Sequence, residues 1–155
     1  MIRLSGIIDE DFINYKKPSM VLMFPYCTFK CGKDVCQNAK IADAKVIEVQ
    51  PEDLCVRYLH NFIVSAIVLQ GLEPMDSFDE VVELLEALRN QFKVDADVVI
   101  YTGYNKDEIK DKLEVLSKYK NIVMKYGRYI PGEALHFDNV LGVWLSSNNQ
   151  YGERL

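Results

Sequence analysis

Three cysteines, Cys27, Cys31 and Cys36, fall within ten residues, in the segment Cys27-Thr28-Phe29-Lys30-Cys31-Gly32-Lys33-Asp34-Val35-Cys36. Thiolates are soft ligands, and three of them on a loop that contains a glycine can be aimed at one metal centre. Zinc and iron–sulfur clusters are the occupants such a set selects. A structural zinc site closes with a fourth protein ligand. The candidates are Cys55, nineteen residues beyond Cys36, and the two histidines, His60 and His136. The other reading is a [4Fe-4S] cluster held by three cysteines, which leaves one iron open to a substrate or cofactor. Three unrelated core cysteines do not gather in a polar loop. By themselves the thiols leave zinc and cluster both standing.

The elements around this loop must position it. Met20–Phe24 is a wholly apolar run that stops at Pro25, as a buried strand does, and the segment Pro25–Lys40 that follows has no helical or strand period. Pro51-Glu52-Asp53 reads as a helix start, because proline suits the first turn and carboxylates suit the positive end of the helix dipole; that helix is expected to run to about His60. Ile63–Gln70 is a second strand, closed by the turn Gly71-Leu72-Glu73-Pro74, in which Gly71 would let backbone carbonyls approach an ammonium group. Phe78, Val81, Val82, Leu84, Leu85 and Leu88 recur at helical spacing among acidic residues. Asp97–Tyr101 is a third strand, Lys106–Lys118 an amphipathic helix, Asn121–Lys125 a fourth strand, and Val140–Leu145 a last strand before a polar tail. Continuous apolar strands alternating with amphipathic helices predict a parallel sheet covered by helices. In such sheets ligands bind at the carboxyl ends of the strands. The cysteine loop, Gly71–Pro74, Tyr101–Tyr104 and Lys125–Arg128 all follow strands, so a single site on one rim is expected.

Composition bounds the rest. The chain has 155 residues and 17.9 kDa, 49% of them hydrophobic and 26% charged, which suits one α/β domain over 1–155 and excludes low-complexity and disordered classes. The net charge of −5 gives no reason to expect nucleic acid or an anionic membrane as partner. The most apolar run, Phe62–Leu69, is eight residues, too short to cross a bilayer. Asp9, Glu10 and Asp11 close to the N-terminus are wrong for a signal peptide, so a cytoplasmic protein with thiols or metal ligands rather than disulfides is expected.

Taken in order, these segments resemble the small radical S-adenosylmethionine (SAM) proteins that activate anaerobic ribonucleotide reductase, and the resemblance spans nearly the whole chain. The cysteine loop resembles the family's C-x-x-x-C-x-x-C motif. Gln70-Gly71-Leu72-Glu73-Pro74 resembles its Gly-Gly-Glu/Asp-Pro motif, and Tyr101-Thr102-Gly103-Tyr104 its W/Y-T-G-Y segment. Lys125-Tyr126-Gly127-Arg128-Tyr129 resembles its D-G-K/R-Y/F segment, and Ser147-Asn148-Asn149-Gln150 its C-terminal G-S-x-N-Q. Three departures stand out. Four residues separate Cys31 from Cys36 where the family usually has two, Val35 replaces the aromatic that commonly precedes the third cysteine, and Leu72 replaces the second glycine.

The resemblance implies an incomplete parallel β/α barrel of the radical SAM type. It implies that Cys27, Cys31 and Cys36 hold a [4Fe-4S] cluster whose fourth iron is chelated by SAM. An electron from a donor such as flavodoxin would cleave SAM to a 5′-deoxyadenosyl radical, which takes a hydrogen from a glycine of a partner protein, the large subunit of anaerobic ribonucleotide reductase. Cofactor-binding roles then fall to Gly71 and Leu72 (backbone toward the SAM amine), Glu73 (bracing that turn), Lys125 (facing a carboxylate), Val35 and Gln37 (beside the adenine) and Asn148 (SAM or the partner). Cys55 has no counterpart in the motif and is expected to be an ordinary buried helix residue. The competing function class is a non-catalytic zinc or iron–sulfur module that binds a protein partner.

Overall fold

The computed structural model describes residues 1–30 and 32–155; Cys31 lies outside them. The architecture is α/β around one mixed sheet. Four parallel strands form its centre: β3 (Ser19–Phe24), β5 (Ala66–Gly71), β6 (Asp97–Tyr101) and β7 (Ile122–Tyr126). Two antiparallel strands close its edges, β2 (Gly6–Asp11) beside β3 and β10 (Tyr151–Arg154) beside β7. The sheet order is therefore β10-β7-β6-β5-β3-β2. A short ribbon of β1 (Ile2–Leu4) and β4 (Ile47–Val49) packs nearby, and a second ribbon pairs β8 (His136–Asp138) with β9 (Val143–Leu145).

Alternation along the central strands sorts their side chains into two layers. Leu22, Phe24, Ile67, Leu69, Val98, Ile100, Ile122 and Met124 face the helical layer. There they meet α1 (Pro51–Leu59), α2 (Phe78–Glu86) and α3 (Lys110–Leu116) through residues such as Leu54, Leu84, Leu85 and Leu116. Cys55 is fully buried in this layer, and burial pushes its thiol up to about 11, so it is inert packing. Helix α1 opens with Pro51 in its first turn, followed by Glu52 and Asp53, and carries Arg57 in its last turn.

The opposite face is built in rows. Ser19, Ala66 and Asp97 lie side by side at the strand beginnings; Val21, Val68, Val99 and Val123 form the next row in register. Tyr15, Leu141 and Leu145 pack onto these valines in place of helices. The next inward-facing positions are Met23 opposite Gln70, and Tyr101 opposite Lys125. A polar row thus stands directly above a valine row, at the carboxyl ends of the strands.

Asp97 anchors the amino-end row. It is 5% exposed, accepts hydrogen bonds from the Tyr15 hydroxyl at 2.8 Å and Lys17 Nζ at 2.9 Å, and pairs with both terminal nitrogens of Arg154 at 2.9 and 3.1 Å. Burial works against its charge, but the hydrogen bonds from Arg154, Lys17 and Tyr15 outweigh that and hold the carboxyl well below the usual carboxylate range.

Four expectations need correction. The sheet is mixed, because both edge strands run against the parallel centre. The segment 140–145 forms a strand only over Val143–Leu145, and that strand pairs with β8 outside the main sheet. The residues beyond it are no free tail, since they supply the edge strand β10. The second strand starts at Ala66, three residues later than its apolar run suggests, with Phe62 and Ile63 left exposed. Among the described residues no helix is long and apolar enough to cross a membrane.

Candidate metal centre and cofactor cavity

A cavity of about 340 Å³ opens where the sequence places its site, above the carboxyl ends of the parallel strands. Its floor is the polar row Gln70, Tyr101 and Lys125, with the valines beneath. The strand-end turns Gly71–Glu73 and Thr102–Gly103 form one wall, and Cys27, Cys36 and Gln37 another. Ile13, Val143 and Trp144 border it from the side opposite the helices. Of the residues expected at the site, Cys27, Cys36, Gln37, Gly71, Leu72, Glu73 and Lys125 meet at this cavity. Val35 and Asn148 do not border it: Val35 is largely exposed, and Asn148 uses its backbone N–H on Glu133 at 2.9 Å. Gln150 does border it, two residues beyond Asn148, the residue expected there.

The turn after β5 is fixed from several sides. Leu72 donates its N–H to the Phe24 carbonyl and Glu73 to that of Tyr26, both at 3.0 Å, so its remaining backbone offering to a ligand is carbonyl oxygen. Glu73 is 5% exposed and accepts N–H bonds from Met75 at 3.1 Å and Gly103 at 2.8 Å, tying the ends of β5 and β6 together. Burial pushes its carboxyl upward against those bonds.

Gly71 sits at φ +105°, and a Cβ there would stand 2.6 Å from the Phe24 nitrogen and 2.7 Å from its carbonyl oxygen. Its missing side chain thus serves close packing of β5 on β3 before any ligand. Gly71→Ala is expected to cost roughly 1–3 kcal/mol in backbone strain, beyond the overlap with Phe24, and to lower the urea midpoint of the metal-free protein. An unchanged midpoint would show that the turn relaxes freely.

Lys125 is 8% exposed, inward on β7, with Nζ 2.9 Å from the Gly127 carbonyl and 5.8 Å from the centre of the Tyr101 ring. Burial lowers its ammonium to about 8, with Glu73 opposing the shift. The Gly127 carbonyl also accepts from Gln150 Nε2 at 3.3 Å, while Gln150 Oε1 accepts from the N–H groups of Ser146 and Ser147 at 3.0 and 3.1 Å. Asn149 Nδ2 donates to the Arg128 carbonyl at 2.7 Å. The segment 146–150 therefore clamps the corner after β7 and with it the lysine. Gly127 is held at φ +101°, where a Cβ would meet the Asn149 carbonyl at 2.9 Å.

The cysteine loop turns sharply. Phe29 has φ 53°, a left-handed conformation that costs a non-glycine residue about 1–2 kcal/mol, and Gly32 follows at φ +88°. Gly32 donates its N–H to the Phe29 carbonyl at 2.9 Å. The Cys27 sulfur accepts the Phe29 N–H at 3.1 Å, the kind of bond that stabilises a ligating thiolate. Two half-buried thiols on one wall of a polar cavity are a donor set that fits a thiolate-held cluster. Among the described residues no three His, Cys, Asp or Glu side chains converge as a metal site, the third thiol of the loop lying outside them.

Comparison with known families decides between the occupants. Residues 18–151 match the family model described as the 4Fe-4S single cluster domain. The chain belongs to that family. No curated protein and no solved structure matches it. As a 4Fe-4S single cluster domain it binds an iron–sulfur cluster, and Cys27 and Cys36 of the cysteine loop border the cavity.

Sequence reasoning named none of Gln70, Tyr101 and Gln150 as a site residue, although Tyr101 opens a segment expected on the rim. The first two are visible only once register sets Tyr101 opposite Lys125 and Met23 opposite Gln70 on one face. The signal for Gln150 was present in the segment Ser147–Gln150, with the expectation falling on Asn148, two positions before it.

Proposed function

We propose that this 4Fe-4S domain is a radical SAM activase. In this reading the open parallel centre of the sheet serves as an incomplete barrel, Cys27, Cys31 and Cys36 hold the cluster, and SAM fills the cavity beside it. The observation that carries the reading is the meeting, at one 340 Å³ cavity, of the cysteine loop, a carbonyl-presenting turn and a buried lysine. When bound, the cluster supplies the electron that cleaves SAM reductively, and the outcome is a glycyl radical on a partner, of which the large subunit of anaerobic ribonucleotide reductase is the one we favour, with a flavodoxin-like electron donor.

The chain's own residues bind, orient and shield. Carbonyl oxygens of Gly71 and Leu72 face the methionyl ammonium, because their turn spends its N–H groups on Phe24 and Tyr26. Glu73 fixes that turn and acts as no base, both its oxygens being engaged by backbone N–H groups. Lys125 neutralises the methionyl carboxylate. An anion beside it favours the charged ammonium, so affinity is expected to hold below about pH 8 and to fall above it, where the free lysine loses its proton. The valine row under the polar floor keeps water from beneath, and Gln37 lies on the cysteine wall where an adenine would sit.

Anaerobically reconstituted protein, given dithionite and SAM, is expected to release 5′-deoxyadenosine and methionine. Lys125→Met is expected to retain iron but to weaken SAM binding roughly tenfold or more, the factor for a lost charge-assisted contact, and to lose the decline above pH 8. A brown, iron-loaded protein that leaves SAM intact would overturn the activase reading. A colourless protein with a single zinc would return it to the protein-binding class.

A further inference from the structure

The first arm of the cysteine loop is stitched to the rim by a pair of residues with no role in the reading above. Asp76 stands in the turn after Pro74, and Tyr104 in the turn after β6. Asp76 Oδ2 accepts the N–H of Thr28, the residue next to Cys27, at 2.9 Å, and Asp76 Oδ1 accepts the Tyr104 hydroxyl at 2.7 Å. The Thr28 hydroxyl lies 3.4 Å from the same phenol oxygen. Lys30 places its ammonium 4.8 Å from the centre of the Tyr104 ring, and Arg128 its guanidinium 5.4 Å from it. Farther along, the loop closes on itself: Gly32, Val35, Cys36, Ala39 and Ile41 each donate N–H to the carbonyl three residues back. These local turns shape the distal arm, whereas the bonds of Thr28 fasten the proximal arm to the ends of β5 and β6.

We propose that Tyr104 and Asp76 form a latch that holds Thr28, and so fixes the Cys27 thiol toward the cavity before the cluster arrives, which makes Tyr104 a positioning residue for cluster retention. The inference rests on the iron–sulfur assignment and not on SAM chemistry. Both oxygens of Asp76 are committed to the latch, and both are aimed by short turns on the sheet rather than by the loop itself. Tyr104 is 9% exposed, and its hydroxyl bond to Asp76 is partly buried. A ligand pre-positioned in this way pays less ordering entropy when metal binds.

The test uses the full chain with Tyr104→Phe, which keeps the ring under Lys30 and Arg128 and removes only the hydroxyl, alongside Asp76→Asn and the double variant. In the metal-free protein, iodoacetamide labelling read by mass spectrometry is expected to speed up at Cys27 in Tyr104→Phe, with Cys55 and the urea midpoint unchanged. In the reconstituted protein, iron release to a chelator is expected to be roughly tenfold faster, the factor for losing one hydrogen bond to a carboxylate. The double variant is expected to match the worse single variant, because the two residues act as one unit. Wild-type rates of labelling and iron release in Tyr104→Phe would overturn the latch. So would faster release accompanied by a proportionate fall in the urea midpoint, since that marks a merely structural contact. Labelling is read without metal, so failure of the latch and failure of the cluster assignment remain distinguishable.

Discussion

Cys27→Ala and Cys36→Ala are each expected to abolish iron loading under anaerobic reconstitution, as is Cys31→Ala, whereas Cys55→Ala is expected to load iron like the unaltered protein. In the proposed ligand set, each thiolate–iron bond lost would leave the cluster with too few anchors. Cys27 and Cys36 stand on one wall of the cavity, and the Cys27 sulfur already accepts a backbone N–H. Cys55 lies on α1 in the helical layer, fully buried among Leu54, Leu84 and their neighbours, on the far side of the sheet from the cavity. To reach a metal there it would have to leave a packed core, which large-to-small substitutions show to be costly. Iron per chain and the visible absorption of the brown protein are the measurements. Loss of iron in Cys55→Ala with retention in Cys36→Ala would reverse the ligand assignment.

The parallel centre of the fold was legible in the chain because each of its strands is buried on both faces. Met20–Phe24 and Val98–Tyr101 read as unbroken apolar runs, and the helices between them carry a clear stripe. The edge strands escaped notice for the complementary reason. β10 is Tyr-Gly-Glu-Arg and β2 ends in Asp-Glu-Asp, so each reads as polar chain; what makes them strands is a free ladder on β7 and β3, a tertiary fact. Phe62 and Ile63 show the reverse error: apolar in sequence, exposed in the fold. At the site, the rule that ligands gather at carboxyl ends of parallel strands located the cysteine loop, the Gly71 turn and Lys125. It carried no information on register, and register alone sets Tyr101 beside Lys125. Nor did it reveal that Gly71 is required by Phe24, a residue far away in the chain.

Ending the chain after Leu145 is expected to unfold it rather than to trim a docking tail. Four residues of β10 pair with β7 from Tyr151 to Arg154, and Leu155 donates a further N–H to Ile122. Arg154 makes the two-pronged pair with Asp97; without it a carboxylate 5% exposed keeps only Tyr15 and Lys17. Removing one partner of a buried ion pair typically costs about 3–5 kcal/mol, although the exposed side of Arg154 places this case at the lower end. Gly152 packs so closely on the ribbon segment that a Cβ would stand 2.7 Å from Leu141, so its loss also opens the layer over the valine row. Gln150 goes as well, and with it the clamp on the Lys125 corner. Against the total of roughly 5–15 kcal/mol that holds a domain of this size, these losses are expected to bring the urea midpoint close to zero. Asn148→Ala is the contrast. Its side chain is exposed, and the hydrogen bond to Glu133 comes from the backbone, so the change is expected to stay within about 0.5 kcal/mol. Urea unfolding followed by circular dichroism separates the two, and a truncated chain with the full-length midpoint would remove β10 from the structural account. Arg154→Leu tests the ion pair alone: it is expected to fall between the truncation and Asn148→Ala, because the strand ladder survives while Asp97 loses its strongest partner. A loss of cluster or of partner activation on truncation would therefore report the collapse of the sheet, and any role of the terminal segment at the cavity has to be read from point variants such as Gln150→Leu that leave β10 in place.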